Sequence, residues 1–271
     1  MRQTLLARWE GALLGSMLPK INRRAALETI ASWQETQLEG MQALAATGQW
    51  HPNLQAKQEN ASAILIQALP LLLFLSDQPF ALEKQLQTIS QAAKDSLTMA
   101  AMGAYAIAIT QATAETLSGK TFFQHLKATL NGKESYKVLE TLESSLEKEE
   151  TLQQIRHKLP ATCQDIWLAL YCFATTPDDL TLSVRRVGWE SNPALLALVG
   201  SLSAVHNGVN GIPVSWRCQL QKERTAWKAT LKLMWATWSG SYKFAMLDRR
   251  LEGSVMTIAP SGVIQPRQQN S

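Results

Sequence analysis

The feature that most constrains the fold of this chain is a series of helix start and stop signals within residues 161–213. The first part, up to Phe173, is apolar on most sides, which predicts a helix that neighbours bury almost completely. Thr176 and Pro177 predict the start of a second helix, because a hydroxyl caps free N–H groups and proline is tolerated at the first helical position. Gly188 predicts the end of that helix.

A third helix is predicted from Asn192 and Pro193, which repeat the start signal. Leucine and valine recur along it at helical spacing, and small residues such as Gly200 keep another side thin enough for close contact with a neighbouring helix. The Asn-Gly steps at 207–208 and 210–211 predict its end. The stretch therefore predicts an all-α fold.

The rest of the chain has the same helical character. Residues 2–18 predict an apolar helix, Pro70 predicts a kink or break between two helices, and the charged segment 119–160 predicts a solvated helical pair at the rim. With 46% hydrophobic residues and no internal linker, we expect one helical domain over residues 1–252. Residues 253–271 predict a flexible C-terminal tail.

Charge and composition exclude several classes of function. A net charge of +4 is too weak to predict a nucleic-acid partner. The three cysteines lack CxxC spacing, which is typical of reduced cysteines in a cytoplasmic protein. We find neither a signal peptide nor an apolar run long enough for a transmembrane segment, so a cytoplasmic location is expected.

The segment 214–251 predicts one or two helices with tryptophans on one face and basic residues alongside. One interpretation is a helix that closes the bundle while its basic side chains reach out to solvent. The other is a docking face for an acidic protein partner or an anionic membrane surface. The residues of this candidate docking face are Arg224, Trp227, Lys228, Lys232, Trp235 and Trp238.

The order of parts in 161–213 resembles the ADP-ribosylglycohydrolase family, and Gly11 and Gly15 are similar to the family's opening helix. The resemblance implies a compact orthogonal multi-helix bundle that hydrolyses ADP-ribosyl bonds. It also implies a pair of divalent cations, typically magnesium, held mainly by aspartates. The residues of the C-terminal half that match the family pattern are Trp167, Ala169, Leu170, Phe173, Pro177, Asp178, Asp179, Gly200, Leu202, Gly208, Ile212 and Pro213.

The resemblance breaks where the family's metal ligands are expected. Two family aspartates fall on Ser191 and Pro193, and Glu190 is one residue out of register. The Gly-Asp pair that follows the family's opening helix falls on Pro19 and Lys20. Of the acids in the family motifs, only Glu35 is in place. The acid that precedes it in the family motif is replaced by Gln34. The family-equivalent cleft positions are Lys20, Gln34, Glu35, Thr36, Glu190, Ser191, Asn192 and Pro193.

These departures predict a catalytically degenerate pseudoenzyme without a cofactor, kept to bind a nucleotide-like ligand or a protein partner. An alternative is a divergent hydrolase that uses Glu35, Asp178, Asp179 or Glu190 with a single cation such as Mg²⁺. A second alternative is a peripheral scaffold or assembly factor that acts through the candidate docking face. The sequence contains no nucleophile elbow, P-loop, dinucleotide glycine motif or His-Glu-x-x-His motif that would favour another enzyme class.

Overall fold

The computed structural model describes residues 4–21, 27–50, 60–89, 95–117, 121–130, 132–188 and 192–241. Within these ranges the chain forms fourteen α-helices, two short 3-10 helices at Leu18–Ile21 and Ala161–Cys163, and no β-strand. The predicted all-α fold is therefore confirmed. The α-helices are α1 (Leu5–Ser16), α2 (Leu27–Thr47), α3 (Ala61–Gln67), α4 (Leu69–Phe74), α5 (Pro79–Ile89), α6 (Ser96–Thr113), α7 (Phe122–Thr129), α8 (Lys133–Glu147), α9 (Leu152–Arg156), α10 (Gln164–Thr175), α11 (Leu180–Val187), α12 (Pro193–Gly211), α13 (Val214–Gln219) and α14 (Gln221–Trp238).

The centre of the bundle is an unusually close antiparallel contact between α1 and α12. A Cβ atom placed on Gly15 would lie 2.1 Å from the carbonyl oxygen of Gly200, and one placed on Gly200 would lie 2.3 Å from that of Gly15. One turn earlier in α1, a Cβ atom on Gly11 would lie 2.6 Å from the carbonyl oxygen of Ala204. Only glycine permits this approach, because the atoms that a side chain would meet belong to the opposite backbone.

Arg8 joins three helices at the other end of this contact. Gly208 has φ 64° and ψ 178°, which interrupts α12. The carbonyl groups of the preceding turn therefore lack the helical N–H donors that would otherwise bond them. The Arg8 Nη1 group donates to the carbonyl oxygens of Val205 and His206, at 3.3 and 2.9 Å. It also donates to Ala112 in α6 at 3.0 Å, so one buried guanidinium satisfies carbonyl groups of two helices.

Helices α6 and α10 pack on α12 and complete the core. The Tyr105 hydroxyl of α6 donates to the Leu198 carbonyl oxygen at 2.9 Å and lies 2.6 Å from the Ser201 hydroxyl of α12. Helix α10 is buried along most of its length, including Trp167 and Phe173, as its apolar sequence predicts. Tyr105 bonds Leu198, and seven residues later in both helices Arg8 bonds the carbonyl oxygens of Ala112 and Val205. Helices α6 and α12 therefore run in the same direction.

The start of α11 differs from the prediction. Thr176 does not cap α11. The N–H group of Thr176 donates to the carbonyl oxygen of Phe173 near the end of α10, at 3.1 Å. The cap is Asp179, whose Oδ1 accepts from the Leu182 N–H group at 3.0 Å. A hydroxyl and a carboxylate three residues apart are both good capping groups, but the Thr176 hydroxyl lies 2.8 Å from that of Ser183 and bonds no N–H group of α11. Gly188 ends α11 with φ 79°, as predicted.

Other boundaries agree with the sequence. Asn192 caps α12 and Pro193 begins it, as predicted. The predicted break near Pro70 lies at Ala68, between α3 and α4. None of the helices in the described ranges is both long and apolar enough to cross a membrane. The predicted tail at 253–271 lies outside the described residues, and the extent of the domain stays a prediction.

We predict that Gly15→Ala lowers the free energy of unfolding by at least about 2 kcal/mol, because the new methyl group can be accommodated only if α1 and α12 move apart. The matched control is Gly103→Ala in α6, where the nearest atom to the new Cβ is Leu130 Cδ2 at 3.5 Å. That change should leave the protein equally stable, or more stable by up to about 1 kcal/mol. Urea denaturation followed by circular dichroism measures both, and equal stabilities would contradict the close contact.

A second prediction concerns the corrected start of α11. Asp179→Ala should cost about 1 kcal/mol of unfolding free energy, because it removes the capping carboxylate. The side chain of Asp178, one residue earlier, is 94% exposed. Asp178→Ala should therefore change the free energy of unfolding by less than about 0.5 kcal/mol. Thermal unfolding distinguishes the two variants. Similar losses for both would show that Asp179 is not the cap.

Candidate functional site

Two of the family-equivalent cleft positions, Lys20 and Asn192, lie at the same end of the bundle. Because α1 and α12 are antiparallel, the 3-10 helix that follows α1 and carries Lys20 lies at the same end as the start of α12 at Asn192. Since α6 runs in the same direction as α12, the amino end of α6 at Asp95 also faces this end. The structure therefore groups three segments that are distant in sequence.

Lys20 is held by a carboxylate from the C-terminal helix. Its Nζ atom lies 3.1 Å from Oε1 of Glu223 in the first turn of α14, and both side chains are largely shielded from solvent. The pair lies at a cavity of about 530 Å³ that Leu27, Ala31 and Leu220 also line. An ammonium and its counter-ion thus occupy one side of this cavity.

Helix α2 carries the family-equivalent residues Gln34, Glu35 and Thr36, which together with Gln37 are called the α2 motif below, and their polar groups point in different directions. Gln37 is buried, and its Nε2 donates to the Ile66 carbonyl oxygen at 2.6 Å and to the Ser16 hydroxyl at 3.2 Å. The Thr36 hydroxyl donates to the Ser32 carbonyl oxygen of its own helix, at 3.1 Å. Glu35 is exposed on the outer side of α2. The motif therefore brings a buried amide to the core, while its one carboxylate faces solvent.

Gln34, between these two faces of α2, is half-buried. Its Nε2 atom is shielded from solvent and has no hydrogen-bond partner among the described residues. An unpaired buried amide costs free energy, so this nitrogen is a group that a bound ligand could satisfy.

The start of α12 carries an amide bonded to a carboxylate that the sequence analysis did not single out. Asn192 Oδ1 accepts from the Ala194 N–H group at 3.0 Å, and its Nδ2 donates to Asp165 Oδ2 at 2.6 Å. Burial raises the pKa of Asp165, which the charge of Arg156 and the hydrogen bond from Asn192 partly oppose. No sequence signal marks Asp165, because an acid in the first turn of a helix is common. Glu190 and Ser191 lie outside the described residues.

Asp95 is the other carboxylate at this end that the sequence analysis passed over. It caps α6, and its oxygens accept from the N–H groups of Leu97 and Thr98 and from the Thr98 hydroxyl, at 3.0–3.3 Å. These hydrogen bonds, first that from Leu97 and then that from the Thr98 hydroxyl, lower the pKa of Asp95. The carboxylate therefore stays ionised but is already engaged by protein donors.

In the part of the chain that the structure describes, no three side chains of histidine, cysteine, aspartate or glutamate converge where they could hold a metal ion. Asp178 and Asp179, named for the divergent hydrolase, are not near Glu35. Asp178 lies 3.4 Å from His206 near the carboxyl end of α12, which is about 20 Å along the helix from Asn192. Burial lowers the pKa of His206, so this pair carries one formal charge at neutral pH.

The tryptophans of the candidate docking face contribute to the core. Trp227 is 4% exposed, and Trp235 and Trp238 are half-buried, with Trp238 packing edge-on against Trp9 at 5.5 Å between ring centroids. Arg224 is paired with Glu10 at 2.6 Å. The tryptophan side of α14 therefore closes the bundle, which agrees with the first of the two interpretations.

The basic side of α14 remains at the surface. Lys228 and Lys232 are exposed one turn apart, on the side of the helix that faces away from α2. The docking of a partner on these lysines stays a prediction.

The comparison with known families extends over most of the chain. The model of the family described as ADP-ribosylglycohydrolase matches residues 1–243. No curated protein matches the sequence closely enough to count as a relative. The matched region includes α1, α2, α6, α10 and α12, and the fold is all-α as that resemblance implies. The chain therefore belongs to the ADP-ribosylglycohydrolase family.

Proposed function

We propose that this protein is a catalytically degenerate member of its family that is retained for binding, with a nucleotide-like ligand or a protein as its partner. The observation that carries the proposal is the ion pair between Lys20 and Glu223. An ammonium stands where the family places a carboxylate, and the acid beside it comes from α14 and neutralises it. Such a pair supplies none of the surplus negative charge that two divalent cations require.

The start of α12 supports the same conclusion. Pro193 stands at a family aspartate position and has no side-chain oxygen to offer a cation. The side chain of Asn192 is already used, because its oxygen caps the helix and its nitrogen bonds Asp165.

The α2 motif leaves one acid for the chemistry. Glu35 is exposed, and Gln34 beside it is a neutral amide. The Thr36 hydroxyl and the Gln37 amide are bonded within the protein. A small octahedral ion that keeps one carboxylate ligand is bound weakly. The residues described at these positions therefore do not fit a pair of magnesium ions.

What remains is a cleft suited to binding. The cavity beside Lys20 has a volume of about 530 Å³, which is within the usual range for small-molecule sites, and its walls are mainly apolar. Helix α14 packs along α2 on one side of it, and the Thr237 hydroxyl fixes the far end of α14 through the Ala45 carbonyl oxygen at 2.7 Å. The proposed ligand site is therefore bordered by the C-terminal helix.

We predict that the purified chain releases no ADP-ribose from an ADP-ribosylated protein, with or without millimolar Mg²⁺, because it cannot hold the paired ions. A family member that has all its motif aspartates serves as the positive control in the same chromatographic assay of free ADP-ribose. Magnesium-dependent release would contradict the proposal. If Glu35→Gln then abolished that release, the divergent hydrolase would be the correct account.

The outer face of α14 favours a second candidate function, attachment to an anionic surface. The one acid of this helix, Glu223, is paired with Lys20, and Arg224 is paired with Glu10, whereas Lys228 and Lys232 are exposed. The surface thus carries positive charge that no carboxylate of α14 offsets. Each basic residue near an anionic bilayer contributes about 1 kcal/mol of attraction.

For this candidate we predict that the double change Lys228→Glu with Lys232→Glu reduces sedimentation with phosphatidylserine vesicles at least about tenfold. The matched control is Lys133→Glu with Lys137→Glu on α8, where two exposed lysines have the same spacing. The control should bind like the unchanged protein. Equal losses in both variants would show that binding depends only on the net charge of the protein, and would contradict attachment through the outer face of α14.

A further inference from the structure

A second cavity lies at the opposite end of the bundle from Lys20 and the start of α12. A ligand bound there would be independent of the proposed function. Its volume is about 520 Å³, and it lies where α6 and α14 end and where α1 begins. Six side chains that matter for its chemistry are those of Arg8, Ser76, Asp77, Thr113, Glu115 and Trp238.

The helix ends around this cavity favour positive charge. Helices α6 and α14 each have eighteen residues, and both present their carboxyl ends to it, at Thr113 and Trp238. Unpaired carbonyl groups give the carboxyl end of a helix a partial negative charge. The side chains add to this field, since the cavity contains two carboxylates and one guanidinium.

Of these charges, the guanidinium is already neutralised. Arg8 is 7% exposed, its Nη2 lies 2.8 Å from Oε1 of Glu115, and its Nη1 donates to backbone carbonyl oxygens. The Nε atom of Arg8 is unpaired among the described residues but is shielded from solvent. The remaining formal charge at the cavity is that of Asp77.

Two of the three hydroxyl groups at the cavity present acceptors, while that of Thr110 is shielded from solvent and has no partner among the described residues. Ser76 donates its hydrogen to the Leu73 carbonyl oxygen at 2.8 Å, and Thr113 donates its hydrogen to the Ile109 carbonyl oxygen at 2.7 Å. A hydroxyl that has spent its hydrogen in this way offers only lone pairs to a ligand. The Ser76 and Thr113 hydroxyls are therefore hydrogen-bond acceptors toward a ligand, as the carboxylates are.

Asp77 is oriented by an aromatic ring. The Trp238 Nε1 group donates to Asp77 Oδ1 at 3.1 Å, while Oδ2 has no hydrogen-bond partner among the described residues. Trp238 is fixed in turn by its edge-on contact with Trp9. The cavity thus combines a positioned carboxylate oxygen, an indole ring and hydroxyl acceptors, and a ligand that binds there must bring hydrogen-bond donors and positive charge.

We propose that this cavity binds a primary alkylammonium ion, with the ammonium group on Asp77 and the alkyl chain against Trp238 and Leu5. An ammonium has three N–H donors and no acceptor, which matches a site whose accessible polar groups are acceptors. A quaternary ammonium fits less well, because it has no N–H group for Asp77 and the cavity offers one aromatic ring instead of a cage.

Isothermal titration calorimetry of the full chain with 1,5-diaminopentane tests the proposal. We expect saturable binding at one site, and at least about tenfold weaker binding for Asp77→Asn, which keeps an oxygen for the indole N–H group but loses the charge. The matched control, Glu39→Gln, removes an exposed carboxylate from α2 and should alter the dissociation constant by less than about twofold.

A second arm separates hydrogen bonding from general attraction of cations. The bis(trimethylammonium) analogue has the same chain and charge but no N–H groups, and we expect at least about tenfold weaker binding. Thermal unfolding of Asp77→Asn should match that of the unchanged protein, because Asp77 is exposed. The proposal is overturned by an absence of saturable binding at millimolar amine, by equal affinity of Asp77→Asn, or by equal affinity of the methylated analogue.

Discussion

The contact of α1 with α12 through Gly11, Gly15 and Gly200 is the constraint on which the other helices depend. It brings two backbones together without side chains between them, so the direction of each helix fixes which ends of the bundle are neighbours. Arg8 then satisfies the carbonyl groups that the break at Gly208 leaves free, and it attaches α6 to the same pair. Packing and hydrogen bonding thus specify one arrangement.

That arrangement separates two kinds of site at the two ends of α12. At the amino end, Lys20 pairs with Glu223, the Asn192 amide bonds Asp165, and Pro193 begins α12. At the carboxyl end, the carbonyl groups of α6 and α14 and the carboxylate of Asp77 create a negative environment. The ammonium of Lys20 is thus paired with a carboxylate at the first end, whereas at the second end, among the described residues, the carboxylate of Asp77 is bonded only by an uncharged indole N–H group.

Much of the frame could be predicted from the sequence. Asn192 with Pro193 and Gly188 are local signals that act through the backbone of their own residues, so they were identified correctly. The sequence does not distinguish Thr176 from Asp179 as the cap of α11, because both are good capping residues, and in the structure the Thr176 hydroxyl is engaged with Ser183 instead. The pairing of Lys20 with Glu223, more than two hundred residues apart in sequence, depends on topology that no local pattern contains.

The central claim is that the frame of a metal-dependent hydrolase persists without the oxygen ligands for its ions. Crystals of the protein soaked in millimolar MnCl₂ test it most directly, because manganese takes the same oxygen ligands as magnesium and gives an anomalous signal. The account predicts no pair of anomalous peaks between the 3-10 helix at Lys20, the α2 motif and the start of α12. Two peaks about 3.5–4 Å apart at that place would contradict it.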